Sequence, residues 1–133
     1  MNVKLTIIFL LVFLSFTGCS KSNQWGFNKN DIESIHVYDI QNPNSDNVAI
    51  ELTDAQSNEI IDKILELKIL NYSDFDPPTS THRIEIKLKN STEKHNIYLC
   101  KGEDYFVYTD NNDKQYLLKS SSFIDYVTNI ANK

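Results

Sequence analysis

Four pieces of the chain decide the fold: His82-Arg83-Ile84-Glu85-Ile86-Lys87-Leu88-Lys89, His95-Asn96-Ile97-Tyr98-Leu99-Cys100-Lys101, Tyr105-Phe106-Val107-Tyr108-Thr109 and Lys114-Gln115-Tyr116-Leu117-Leu118. Each is rich in β-branched or aromatic residues, and turn formers such as Gly102-Glu103 and Asp110-Asn111-Asn112-Asp113 stand between them. Strands so close in sequence pair antiparallel as a meander. Upstream, Ile32 to Ile40 and Val48 to Leu52 read as two more strands around the turn-forming Gln41-Asn42-Pro43-Asn44-Ser45-Asp46. Thr53 and Gln56 then make a capping box, and Ile60, Ile61, Ile64, Leu65 and Leu67 share one side of a 3.6-residue wheel. A short strand at Ile69 to Tyr72 leads into the loop Ser73 to Thr81, where Pro77-Pro78 exclude helix and central strand. A last helix starts near Ser121, with Phe123, Ile124, Val127, Ile130 and Ala131 at helical spacing. The expected class is α+β: an antiparallel β-meander sheet with an amphipathic helix after the second strand and a C-terminal helix.

Register follows from burial. Ile84, Ile86 and Leu88 point to one face of their strand, and Ile97 and Leu99 to one face of the next. Burying both sets together requires an odd pairing sum, which puts Arg83, Glu85 and Lys87 beside Asn96, Tyr98 and Cys100 on the other face. A Gly102-Glu103 turn sends Phe106 and Tyr108 to the core and Tyr105 and Val107 opposite. A two-residue Asn111-Asn112 turn adds Tyr116 and Leu118 to that opposite face. The face bearing Tyr98, Tyr105, Tyr116 and Val107 is the candidate partner-binding surface, too apolar to stand in water without a purpose. Either it receives a partner or the C-terminal helix crosses back over it. Coverage is the favoured expectation, because the first helix already claims the core face.

At the N-terminus, Lys4 precedes the apolar run Leu5 to Phe16, and small residues lead to Cys19. This is the pattern of a secretory signal, and a spanning helix needs about 20 apolar residues. Thr17-Gly18-Cys19 resembles the lipobox of bacterial lipoproteins, in which the cysteine is acylated and becomes the new N-terminus; Phe16 stands where that family usually has Leu. An ordinary signal cut in the Gly18-Cys19-Ser20 frame is the alternative. The resemblance implies a signal peptide over 1–18, a lipidated N-terminus and tether over 19–30 with palmitate-type acylation at Cys19, and a single α+β domain over 31–133. It implies a place at the cell membrane, lipid-anchored on the extracytoplasmic side. In a cell with two membranes the place is the outer one, since Ser20 follows the cysteine instead of a retaining Asp. Together with the Asn, Lys, Ile and Asp bias, the lipobox resembles that of small lipoproteins of AT-rich bacteria, Firmicutes especially. It implies no activity.

Composition and spacing narrow the chemistry. The chain has a formal charge of −5 and no basic stripe, so nucleic acid is not an expected partner. With Cys19 committed to lipid, Cys100 is left as a free thiol, with Arg83 or Glu85 expected across the strand pair, and the fold must rest on its hydrophobic core. His36, His82 and His95 are the natural metal ligands, but hairpin pairing sets His82 and His95 on the order of 20 Å apart. A shared ion needs nitrogens about 2 Å from it. Asp110 to Asp113 begins like a calcium loop, yet Lys114 and Gln115 occupy the places of the next ligand and the glycine. There is no Gly-x-Ser-x-Gly elbow, and three glycines in the whole chain cannot build a phosphate cradle. No catalytic residue, metal or cofactor is expected. The expected function is a membrane-anchored, non-enzymatic binding or interaction module whose partner is an envelope or secreted protein. The alternatives are an inhibitor or immunity lipoprotein using the tyrosine face, or a small envelope hydrolase with a site in the Asp74 to Thr81 loop.

Overall fold

The computed structural model describes residues 24–41, 49–72, 80–100 and 102–133. The signal segment, Cys19 and most of the Asp74 to Thr81 loop lie outside the described residues. Among those described, the strands are β1 (Ile32–Asp39), β2 (Ala49–Ile50), β3 (Ile69–Tyr72), β4 (His82–Leu88), β5 (Lys94–Leu99), β6 (Tyr105–Thr109) and β7 (Gln115–Lys119). Two helices accompany them, α1 (Asp54–Glu66) and α2 (Ser121–Ala131). All strand pairs are antiparallel in one sheet of order β2-β1-β4-β5-β6-β7-β3, so the protein has the α+β architecture its sequence pattern indicates.

The helices start where side chains supply the missing hydrogen bonds. Thr53 Oγ1 accepts from Gln56 N at 3.2 Å while Thr53 N donates to Gln56 Oε1 at 2.9 Å. Ser120 Oγ accepts from Phe123 N at 3.2 Å at the head of α2. Such caps contribute about 1 kcal/mol each. Both helices then bury their apolar sides in the same place. Ile60, Ile61 and Ile64 of α1 and Phe123, Ile124 and Val127 of α2 belong to one cluster with the inward side chains Val37, Ile84, Ile86, Ile97, Leu99, Phe106 and Leu118. Lys63 Nζ stands 4.8 Å from the Tyr126 ring centre, linking helix to helix. The fold is therefore two layers, and neither helix lies over the second face of the sheet. Coverage of that face by α2, the favoured expectation, does not occur: α2 has room beside α1, and packing there joins its stripe to an existing core.

The β4–β5 pairing has the odd sum, with Ile84 opposite Ile97 and Arg83 opposite Tyr98. The β5–β6 pairing also follows the Gly102-Glu103 turn, setting Phe106 against Leu99 and Val107 against Tyr98. Gly102 has φ of 89°, the left-handed turn conformation that glycine takes without a Cβ clash. The β6–β7 register departs from expectation by one residue. Thr109 faces Gln115 and Tyr108 faces Tyr116, so Tyr116 and Leu118 point into the core side and Leu117 points away. The cause is the turn. Asp113, at φ 58°, takes the left-handed position that the sequence reading gave to Asn111-Asn112, and Asp110 N bonds to Lys114 O at 3.0 Å. Three residues, not two, lie inside the closing pair, as in a type I turn followed by a left-handed residue. One added residue reverses every side chain of the next strand.

β3 lies beside β7, at the opposite edge from β2, so α1 carries the chain from one edge of the sheet to the other. The β3–β7 pairing shifts between Ile69 and Asn71, and the bulged Leu70 is pushed outward to 43% exposure.

Candidate functional site

Gln24 to Phe27, placed in the tether by sequence, folds back as a strap on the inner face of the sheet. Gln24 Oε1 accepts from Ile69 N at 2.9 Å, which pins the strap to edge strand β3. Gly26 has φ of 71°, a conformation costing an L residue about 1–2 kcal/mol. With the backbone turned there, Trp25 and Phe27 are both buried, 4% and 2% exposed. The Trp25 ring lies 4.7 Å from Tyr108 and the Phe27 ring 4.9 Å from His95. Two residues of the expected tether, Trp25 and Phe27, are thus packed on the sheet.

Beside the strap is a cleft of about 560 Å³, whose walls include Trp25, Tyr108 and Tyr116 and whose polar lining includes His95, Glu93 and Asp110. His95 is only 6% exposed. Its Nδ1 lies 2.6 Å from the Tyr108 hydroxyl, and the two rings stack at 5.8 Å. The Tyr108 phenol is held protonated, its pKa raised first by burial and then by Asp110. A buried phenol has to place its proton, so it donates to Nδ1 and the imidazole carries its own proton on Nε2. Burial also lowers the His95 pKa, against the opposing pull of Glu93 and Asp110, which keeps the ring neutral. Nε2 is buried and has no hydrogen-bond partner among the described residues, an omission that costs about 1–3 kcal/mol. With its acceptor nitrogen taken by a phenol, this histidine is set to donate a hydrogen bond and not to remove a proton. Asp110 holds the rim in place: its Oδ1 accepts from Asn112 N and Lys114 N, each at 2.9 Å, and its Oδ2 accepts from the Tyr116 hydroxyl at 3.4 Å.

No protein-family model matches the chain, nor does any curated protein or solved structure. The site has to be read from its own geometry.

The candidate partner-binding residues divide between the two faces. Tyr98, Tyr105 and Val107 share the outer face, where Val107 sits between Tyr98 and Leu117 on the flanking strands. Val107 is 1% exposed, while Tyr98, Tyr105 and Leu117 are half-buried. Tyr116 belongs to the cleft on the inner face, stacked 5.7 Å from Tyr108, because of the β6–β7 turn described above. Further along the outer face the Arg83 guanidinium lies 4.6 Å from the Tyr38 ring centre. Cys100 is a buried thiol beside Ser80 Oγ, at 3.9 Å, and the β4–β5 register sets Arg83 opposite Tyr98 and Glu85 opposite Asn96 instead of opposite Cys100 as expected. Burial raises its pKa, with the Ser80 hydrogen bond opposing, so its thiolate is disfavoured. Of the histidines, His82 faces Leu99 and His95 faces Ile86, about 13 Å apart at strand spacing, and His36 faces Glu85 on the outer side. No three potential metal ligands converge among the described residues.

Sequence reading missed the cleft because it depends on a contact between residue 25 and residue 108. The only trace of it was two aromatic residues, Trp25 and Phe27, at a spacing of two in an otherwise polar stretch.

Proposed function

We propose that this protein is a membrane-anchored extracytoplasmic lipoprotein that works as a non-enzymatic binding module, and that the cleft under the strap is its binding site. The observation that carries the reading is the His95–Tyr108 pair: a neutral imidazole, its Nδ1 fixed by a phenol and its Nε2 without a partner among the described residues, set among aromatic rings. Such a site holds a hydrogen-bond acceptor in a recess of mixed aromatic and polar lining, where a few placed polar groups fix a ligand's orientation. Anchorage rests on the signal-like Lys4 to Gly18 segment and Cys19. Only Ser20 to Asn23 separate Cys19 from the strap, which at about 3.5 Å per residue keeps the start of the strap within roughly 18 Å of the acylated cysteine.

Growth with labelled palmitate tests the anchor. The mature protein takes up label, and Cys19→Ala abolishes the label and leaves the signal uncut. Processing and membrane retention of Cys19→Ala as in the wild type would sink the lipoprotein reading. A second reading, a protein partner held by the outer face as an inhibitor or immunity protein would hold it, is favoured by Tyr98, Tyr105 and Leu117 around Val107 on a face that neither α1 nor α2 covers. Cross-linking in intact cells separates the two: the outer-face reading requires one stoichiometric protein whose capture is lost on Tyr105→Ala.

A further inference from the structure

Resting on that binding reading, we propose that the cleft beside the Gln24 to Phe27 strap takes a neutral saccharide. Three features of the cleft select among ligand classes. Its walls are aromatic, from Trp25, Tyr108 and Tyr116; its rim is acidic, from Glu93 and Asp110; and it has an N–H donor to satisfy in His95. Its volume of about 560 Å³ lies inside the range of small-molecule sites.

An anion would satisfy His95 and meet two carboxylates. An organic cation would suit the carboxylates and the rings, yet it offers nothing to accept from Nε2–H. A purely apolar ligand would desolvate all three polar groups without pairing them. A saccharide meets every demand. Each hydroxyl both donates and accepts, so one accepts from His95 while others donate to Glu93 and Asp110, and the C–H face of the sugar ring packs on an aromatic side chain. The polar groups around the cleft fit this role. Asp110 is oriented by two backbone N–H groups and the Tyr116 hydroxyl, so its carboxylate is rigid before the ligand arrives. Lys114, whose ammonium stands 5.4 Å from the Tyr116 ring centre, is exposed. Because Nε2 is buried in the free protein, pairing with a hydroxyl entails a local movement of the wall. Trp25 in that wall is the single tryptophan of the chain, and its fluorescence reports the movement.

Two sources present such chemistry near a membrane surface, a glycolipid headgroup and a free glycan, and the experiment distinguishes them. The full-length acylated protein in detergent is titrated with chitotriose, maltotriose and cellotriose, with choline chloride and citrate as charged counter-probes, while Trp25 emission is followed. In parallel it is mixed with phosphatidylglycerol vesicles with and without diglucosyl diacylglycerol. At least one trisaccharide, or the glycolipid vesicles alone if the headgroup is the ligand, produces a saturable change. His95→Phe, which keeps a ring and loses the donor, weakens it roughly tenfold, and Glu93→Gln, an exposed substitution with little demand on folding, weakens it a few-fold. Unaltered binding in both variants overturns the proposal. A response to choline or citrate with none to any saccharide also overturns it and leaves the binding reading standing. Silence of Trp25 toward every probe removes the saccharide and the cleft together.

Discussion

The two faces of the sheet are built from the same strands and have different fates. Along β6, Phe106 and Tyr108 turn inward to both helices and the strap, while Tyr105 and Val107 turn toward a side where neither helix lies. Among the described residues the inner face is covered by α1, α2 and the strap. On the outer face Val107 is 1% exposed while Tyr98, Tyr105 and Leu117 around it are half-buried. The difference teaches that burial of one residue and coverage of a face are separate properties. Val107, between Tyr98 and Leu117, is buried on a face that neither α1 nor α2 covers.

The comparison breaks most visibly in stability. Phe106→Ala removes a fully buried ring that meets Phe123 of α2 at 5.3 Å, and is expected to cost about 3–5 kcal/mol in urea unfolding. Val107→Ala, equally buried on the other face, loses two methyl groups and is expected to cost about 2 kcal/mol. Equal losses in the two variants would mean that the outer face is as deeply packed as the core.

A smaller effect on the inner face is read through pH. The folded-state pKa of His95 is lowered from 6.5 chiefly by burial, so the unfolded chain binds the proton more readily. Stability is therefore full above about pH 6.5 and falls as the pH drops from there toward the lowered value. His95→Gln removes this part of the acid sensitivity. An unchanged stability slope between pH 7 and 5 in that variant would place the histidine in a wetter setting than the cleft provides.

Tyr105→Ala is the smallest change and the sharpest test of the outer face. The ring is half-buried at the open side of β6, so the urea midpoint is expected to move far less than for Phe106→Ala. A loss matching Phe106→Ala would show the ring to be covered.

Local pattern was enough for the elements and for part of the register. Thr53 and Gln56 mark the start of α1, Ser120 precedes α2, and the alternation through His82 to Thr109 sets β4, β5 and β6 with their inward and outward sides, because a capping box and a two-residue turn involve only residues a few positions apart. Four features lay beyond that reach. The left-handed conformation of Asp113, rather than of Asn111 or Asn112, lengthened one turn by a residue and sent Tyr116 inward. The bond from Ile69 N to Gln24 Oε1 joined two segments distant in sequence at the edge where β3 lies. The return of Trp25 and Phe27 onto Tyr108 and His95 created the cleft, and the packing of α2 beside α1 left the outer face uncovered by either helix. The first turns on which of several polar turn residues takes positive φ and the second on a long-range polar contact, while the last two depend on which distant apolar surfaces pack together. Periodicity tells which side of a strand or helix is apolar, and only the assembled tertiary structure decides what that side meets.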